Sequence, residues 1–263
     1  MDLSTVKMVV TDMDGTLLNS KHEVSTRFFE LFEQLRKRGI QFVAASGRQY
    51  SSMISKLGAI KNDVLFIAEN GAYVRFREKT LLTTEFPAEN VKSVLETVRT
   101  APDLHPVLCT KDNAYVEGSH VKFINLLKEY YSDFIIVPDQ KQITNEVLKV
   151  AIYHFESAER YTYPVVKHLA GDMKVKVSGS NWVDISHPNA NKGYALTRVM
   201  DRLGLKSHEV MVFGDYNNDL EMLELADHSF AMANAHPNVK KVARYQTKDN
   251  NHYGVETILE QLL

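Results

Sequence analysis

The sequence predicts an α/β protein whose core is a doubly wound parallel sheet, interrupted by a second α/β domain. Short apolar runs rich in β-branched residues alternate with helical-period segments at both ends of the 263-residue chain. Those runs are apolar nearly throughout, as strands covered on both faces are. Between about 83 and 186 the texture changes to shorter strands and separate helices, enough for a domain of its own. The expected division is therefore a core of 1–82 and 187–263 with an inserted domain at 83–186.

The first run, 6–11, ends at an acidic cluster. Over 25–38, Phe28, Leu31, Phe32 and Leu35 recur at helical spacing, with charges on the other face and Gly39 as the stop. A second strand at 40–45 ends at Ser46-Gly47-Arg48, and after another helix a third, 64–68, ends at Glu69-Asn70-Gly71. In the insertion the pattern gives a helix around Val91–Val98 and strands at 107–109 and 114–117. A helix follows at 121–128, then strands at 134–137 and 147–155, a helix at 157–170, and strands at 173–177 and 182–185. The core resumes with an amphipathic helix over 192–203 closed by Gly204, a strand at 210–213 running into Gly214-Asp215, and a strand at 229–232.

Composition narrows the function classes. Apolar residues make up 44% and charged residues 24%, a globular balance, and the formal net charge of −2 offers no basic field for nucleic acid or anionic lipid. One cysteine, Cys109, excludes an internal disulfide framework and fits a reducing compartment. With no long apolar stretch and no leader-like N-terminus, the expectation is a cytoplasmic protein, monomeric or homodimeric, that binds neither nucleic acid nor membrane.

Polar residues cluster where strands end and helices begin. In open α/β sheets, ligands collect at the carboxyl ends of strands. Asp12 and Asp14, Ser46, Lys192, and Asp215 with Asn218 and Asp219 should therefore converge on one rim. Phosphoryl transfer wants these types together: a nucleophile, a cation, donors for phosphate oxygens and a proton carrier. Asp12 is the candidate acceptor of the phosphoryl group, and Asp14 the candidate to protonate the leaving oxygen and later deprotonate water. Asp12, the backbone carbonyl of Asp14, and Asp215 make an oxygen set suited to Mg²⁺. Ser46, the Gly47 backbone and Lys192 offer donors for the phosphate.

These residues carry a resemblance. Asp12-Met13-Asp14-Gly15-Thr16-Leu17-Leu18 resembles the first motif of the haloacid dehalogenase-like phosphatases, and Ala45-Ser46-Gly47-Arg48 the second. Asn191-Lys192-Gly193-Tyr194-Ala195-Leu196 resembles the third, and Gly214-Asp215-Tyr216-Asn217-Asn218-Asp219-Leu220-Glu221-Met222 the fourth. Ala68-Glu69-Asn70-Gly71-Ala72, Ala231-Met232-Ala233-Asn234-Ala235 and Asn250-Asn251-His252-Tyr253-Gly254-Val255 are similar to segments of the Cof-type sugar-phosphate phosphatases within that superfamily. The resemblance implies a Rossmann-like core with an inserted α/β cap that selects and encloses the substrate. It implies Asp12 as nucleophile and metal ligand, and Asp14 as acid/base and metal ligand through its carbonyl. Ser46, Gly47, Lys192 and Asn218 would bind phosphate, Asp215 would bind Mg²⁺, and Asp219 would orient the site from behind. Tyr216 stands where relatives often carry a smaller residue. The implied activity is a Mg²⁺-dependent phosphatase acting on a small phosphorylated metabolite, a sugar phosphate above all. A sugar phosphomutase and a catalytically idle phosphometabolite-binding protein are the alternatives.

Each of these residues also has a plain structural use. Asp-x-Asp makes solvated turns, Ser46 could cap a helix, Lys192 could lie on the surface, and Asp215 and Asp219 could enrich a helix start in acid. The order of the four motifs weighs for function. Elsewhere the plain reading prevails. The ten histidines show no His-x-x-x-His pair and Cys109 has no partner motif, so no zinc site is expected. Gly204 and Gly214 do not form a nucleotide-binding loop. Trp182 and the inserted tyrosines are expected to pack, and His105, His120, Arg160 and His168 to lie on the surface.

Overall fold

The computed structural model describes residues 3–118, 120–131, 133–143 and 146–263. In chain order the elements are β1 (Met8–Asp12), α1 (Thr26–Lys37), β2 (Gln41–Ala45), α2 (Tyr50–Leu57), β3 (Val64–Ala68), β4 (Tyr73–Phe76) and β5 (Lys79–Thr83). The insertion carries α3 (Ala88–Val98), β6 (His105–Thr110), β7 (Ala114–Glu117), α4 (Val121–Tyr130), β8 (Ile135–Val137), β9 (Val147–Tyr153), α5 (Tyr163–Val166), β10 (Lys174–Val177) and β11 (Trp182–Ser186). Then come α6 (Lys192–Leu203), β12 (Val210–Gly214), α7 (Leu220–Glu224), β13 (His228–Ala231), α8 (Pro237–Val242), β14 (Tyr245–Gln246) and α9 (Gly254–Leu259). Two compact units result, one of residues through Leu82 together with Asn191–Leu263, the other Thr83–Ala190. Residues 187–190 group with the inserted unit, where the Lys174 ammonium donates to the Ala190 carbonyl at 3.1 Å.

The first unit is built on a sheet of order β14-β13-β12-β1-β2-β3-β4-β5. From β14 to β3 every pairing is parallel. Every residue of β1, β3, β12 and β13 is buried, which explains why these runs read as continuously apolar rather than alternating. Phe28, Phe32 and Phe42 are fully buried and stack α1 on β2, with Phe28 and Phe42 ring centres 5.0 Å apart. Ser25 caps α1 by accepting from the Phe28 amide at 3.0 Å. Gly204, at φ +66°, closes α6 in the left-handed conformation. The β4–β5 hairpin was not legible in the sequence. It turns at Arg77, itself at φ 54°, with no Gly-containing turn signal, and it adds an antiparallel edge to the sheet.

The inserted unit has a sheet of order β10-β11-β9-β6-β7-β8, antiparallel except for the β7–β8 pair. Here alternation is the rule, because each face meets a different layer. Leu108, Val150, Ile152, Val183 and Ile185 point to one side with Val94 and Leu95 of α3 and Val166 of α5. Val107, Cys109, Ala151 and Tyr153 point to the other, under Phe123 and Leu127 of α4. The helix expected over 157–170 is broken. A wide π-type turn at Ala158–Thr162 precedes α5, and a 3₁₀ turn at Lys167–Leu169 follows it. Pro164 has no N–H to give to the carbonyl four residues back, so a regular helix cannot run through it.

Phe42→Ala should cost about 3–5 kcal/mol, since the aromatic cage around it cannot collapse onto a methyl group. The midpoint of urea unfolding measures this, and a loss below about 1 kcal/mol would show that α1 and β2 do not depend on that contact.

Candidate active site

The site follows from the order of strands. β1 lies between β12 and β2, in register from Met8 opposite Val210 and Gln41. The three carboxyl ends therefore finish side by side, one strand spacing apart. They deliver Asp12 and Asp14 from β1, Ser46 and Gly47 from β2, and Asp215 from β12. Lys192 opens α6, capped by the Asn191 side chain, which accepts from the Tyr194 amide at 2.7 Å.

Two backbone features make these approaches feasible. Gly71 sits at φ +97°, and a Cβ there would overlap the carbonyl of Asn191, so the Glu69-Asn70-Gly71 turn packs directly on the start of α6. Gly15, at φ +78°, lies so close to Asp215 that a Cβ would enter its carboxylate.

The sequence-predicted residues fall into three hydrogen-bonded sets. In the first, the fully buried Lys192 ammonium donates to Asp12 Oδ1 at 2.5 Å and to Asp219 Oδ1 at 2.7 Å. The other oxygen of Asp219 accepts the backbone N–H groups of Asp215 and Tyr216 at 2.9 and 3.1 Å. Asp215 accepts from the Thr16 hydroxyl at 3.1 Å. One carboxylate oxygen from each of Asp12, Asp215 and Asp219 lies within 4.8 Å of the others.

The second set runs through Asn70. Its side-chain oxygen accepts from Asn218 at 3.1 Å, its backbone N–H donates to the Ser46 carbonyl at 2.9 Å, and its amide lies against the Gly47 α-carbon. Ser46 is buried, and its hydroxyl accepts from the Arg48 amide at 3.1 Å. In the third set, Asp14 turns its carboxylate to the Arg48 guanidinium, which donates twice at 2.6 Å, while His22 Nδ1 stands 3.2 Å away.

Charge explains the behaviour of the first set. With all three acids ionised against one lysine the group carries an excess of two negative charges in a buried place. Burial pushes Asp12 well above the usual carboxylate range; Lys192 opposes this, and Asp219 and Asp215 add to it. Burial, then the Asp219 charge, raises Asp215 to about 6 against the pull of Thr16 and Lys192. Burial alone would lower Lys192, but the charges of Asp12 and Asp219 outweigh it and hold the ammonium protonated above its ordinary value. The centre thus holds a fixed cation and is short of positive charge by two protons or one divalent ion. Asp14 behaves oppositely. Burial would raise it, yet the Arg48 hydrogen bonds and charge, with His22, hold it below the ordinary range.

Sequence reasoning left Arg48, Asn70, Thr16 and His22 without roles. The first three stand inside motifs whose resemblance is stated above, so position alone could have flagged them; nothing in the sequence marks His22. Tyr216 is half exposed, its ring edge-on to His236 at 5.6 Å. In the inserted unit one expectation needs correction. His105 is not a surface residue: its ring stacks on Phe123 at 4.6 Å, and burial followed by the His120 charge lowers it to about 4. His120 is exposed and caps α4 through Nδ1, and Arg160 and His168 are exposed. Trp182 packs edge-on to Tyr153 at 4.9 Å.

Known proteins share this plan over the full length. The family model of the haloacid dehalogenase-like hydrolases matches residues 9–259. A 5-amino-6-(5-phospho-D-ribitylamino)uracil phosphatase of Escherichia coli is 30% identical, over 98% of this chain and 97% of its own. An HMP-PP phosphatase of another Escherichia coli strain is 29% identical over 89% and 86%. The crystal structure of a haloacid dehalogenase-like hydrolase from Bacteroides thetaiotaomicron superposes with a TM-score of 0.84 at 28% identity, covering 98% of this chain and all of that one. The chain belongs to the haloacid dehalogenase-like hydrolases, among their Cof-type phosphatases.

Proposed function

We propose that this chain is a Mg²⁺-dependent phosphatase that hydrolyses a small phosphorylated metabolite, a sugar phosphate or similar polyol phosphate, through an aspartyl phosphate on Asp12. The observation that carries the reading is the buried Lys192 held between Asp12 and Asp219 beside Asp215, at the meeting point of three strand ends. A phosphoryl group arriving at Asp12 would meet a fixed positive charge and a carboxylate already held in place. The ribityl phosphate in the name of the Escherichia coli relative supports the substrate class.

The chemistry divides among the three sets. Asp12 attacks phosphorus as the ester P–O bond breaks, and Asp14, having left Arg48 and taken a proton from solvent, gives that proton to the departing oxygen. Water then attacks the aspartyl phosphate, Asp14 takes its proton, and phosphate and free Asp12 are restored. Lys192, Ser46, the Gly47 amide and Asn218 hold the phosphate oxygens, the last two kept in place by Asn70. Asp219 is a positioning group, since Lys192 and two backbone amides already occupy both of its oxygens.

The donor set fits Mg²⁺: it is all oxygen, partly buried and short of positive charge. Asp12, Asp215 and the Asp14 carbonyl would hold the ion, which when bound supplies charge neutralisation to the phosphate.

Asp12→Asn should abolish phosphate release from a substrate the wild type hydrolyses, and release at a comparable rate would overturn the assignment. Asp14→Asn should slow turnover on the order of 10²-fold or more, most severely for poor leaving groups. Equal losses for good and poor leaving groups would speak against an acid role. Mg²⁺ should raise the melting temperature of the wild type and not of Asp215→Asn. That gain should depend on pH. In metal-free protein the folded-state value of Asp215 is raised, so its proton favours the folded form below about 4, and that contribution is lost as pH rises through about 6. Mg²⁺ competes with the same proton, so the stabilisation should be full at pH 7.5 and much reduced at pH 5. Equal shifts at both pH values would remove Asp215 from the metal site.

A further inference from the structure

Asparagines near the end of the chain hold the turn that follows β1. Gly15, at φ +78°, opens that turn, and glycine is the residue least able to keep one conformation by itself. The Asn234 side chain donates to the Gly15 carbonyl at 2.8 Å and accepts from the Asn250 backbone N–H at 3.3 Å. Asn250 in turn donates from its side chain to the Leu18 carbonyl at 2.8 Å, and the Asn251 side chain accepts from the Ser20 amide at 2.9 Å. Three side chains thus bracket residues 15–20 through backbone groups.

The bracket is anchored beside the acids. The Met232 N–H donates to the Gly214 carbonyl at 3.2 Å and the His236 N–H to the Asp215 carbonyl at 2.8 Å, so Asn234 rides on the backbone that carries Asp215. From there it reaches across to Gly15, which leaves no room for a Cβ beside the Asp215 carboxylate. The next residue, Thr16, donates its hydroxyl to Asp215 Oδ1 at 3.1 Å. The second support is tied down as well. The Thr247 N–H donates to the Ala231 carbonyl at 3.0 Å, and Asp249 Oδ1 accepts the Asn251 and His252 amides at 2.9 and 3.0 Å. Asn234 is exposed, and a hydrogen bond in such a place adds modestly to stability. Its direction, however, is set from both ends of the amide.

We propose that Asn234 is a positioning residue for the metal site, holding the Gly15–Thr16 turn against Asp215 so that the Asp14 carbonyl and the Asp215 carboxylate keep a fixed separation. The inference rests on the Mg²⁺ reading of those two groups under Proposed function. Gly15 follows Asp14 directly, so a Gly15 carbonyl free to turn also frees the Asp14–Gly15 peptide and loosens Thr16 from Asp215. Groups that orient the ligands of a metal from behind set its affinity by roughly 10–100-fold. The effect therefore belongs to metal binding, and added metal should make it good.

The test titrates MgCl₂ into metal-free wild type, Asn234→Ala, Asn250→Ala and Asn251→Ala at pH 7.5, with binding read by calorimetry. Asn234→Ala should bind Mg²⁺ on the order of tenfold more weakly than wild type. Asn250→Ala should lose less, and Asn251→Ala, whose contact at Ser20 is farthest from Gly15, least of all. A dissociation constant for Asn234→Ala within about twofold of wild type would overturn the proposal, as would the largest loss falling on Asn251→Ala. On p-nitrophenyl phosphate, kcat of Asn234→Ala at saturating Mg²⁺ should return to within about threefold of wild type. A deficit that no concentration of Mg²⁺ repairs would overturn the proposal and assign Asn234 to the fold alone. Crystal structures of metal-free wild type and Asn234→Ala add a readout independent of turnover and of the metal. In the variant the Gly15 carbonyl should turn and Thr16 should part from Asp215, and an unmoved turn would also overturn the proposal. A wild type that binds no Mg²⁺ would strike the metal reading instead, while the Gly15 turn in the variant crystals would still decide the bracket.

Discussion

The Lys192 ammonium, with no exposed surface, hydrogen-bonded to Asp12 and Asp219, is the contact on which the centre is organised. A buried ammonium is tolerated only if paired and fully hydrogen-bonded, and removing one partner of such a pair leaves an uncompensated charge. A lysine at the first position of a helix also opposes the helix dipole, so the anions must stand close. Asp12 ends β1, Asp219 precedes α7, and Lys192 begins α6; 180 and 27 residues of chain separate the partners. One ammonium thereby ties together three elements that local sequence does not connect. Burial raises Asp12 and Asp215, and the excess acid that remains adds to it.

Around this centre the backbone is bent further than relaxed chain permits. Glu69 and Asn70 adopt φ of 51° and 53° in succession, a conformation costing about 1–3 kcal/mol at each non-glycine residue. The strain places Asn70 where its amide supports Gly47 and Asn218 and its backbone holds Ser46. Local strain and the buried ion pair serve the same end: the polar groups of the centre are held in fixed positions.

The inserted unit obeys different rules. Its antiparallel sheet has distinct layers on its two faces, and each strand divides its side chains between them. Aromatic contacts among Tyr130, Tyr153, Trp182, Phe155 and His105 fill one of those layers. His105 shows why a polar residue type does not guarantee a surface place. Its pairing opposite Tyr153 in the β6–β9 ladder puts the ring among aromatic neighbours, and the neutral form of histidine tolerates that.

Sequence alone was sufficient for the elements with a strong period or an uninterrupted apolar run. The 64–68 strand and the 192–203 helix match the structure residue for residue, because hydrophobic patterning and the caps at Asn191 and Gly204 act within a few residues. It also singled out the acids, the lysine and the serine of the centre, because their residue types sit at strand ends in a recognisable order. It could not show the break at Pro164, the β4–β5 edge hairpin, or the burial of His105, which depend on hydrogen bonds or neighbours distant along the chain. Nor could it show the partition of the polar residues into a Lys192 set, an Asn70 set and an Arg48 set. Motif order says that Asp12 and Asp14 lie two residues apart; only the folded chain turns one toward Lys192 and the other toward Arg48 and His22. Side-chain direction at the end of a strand is decided by partners that the sheet brings together, and the sheet is a property of the whole chain.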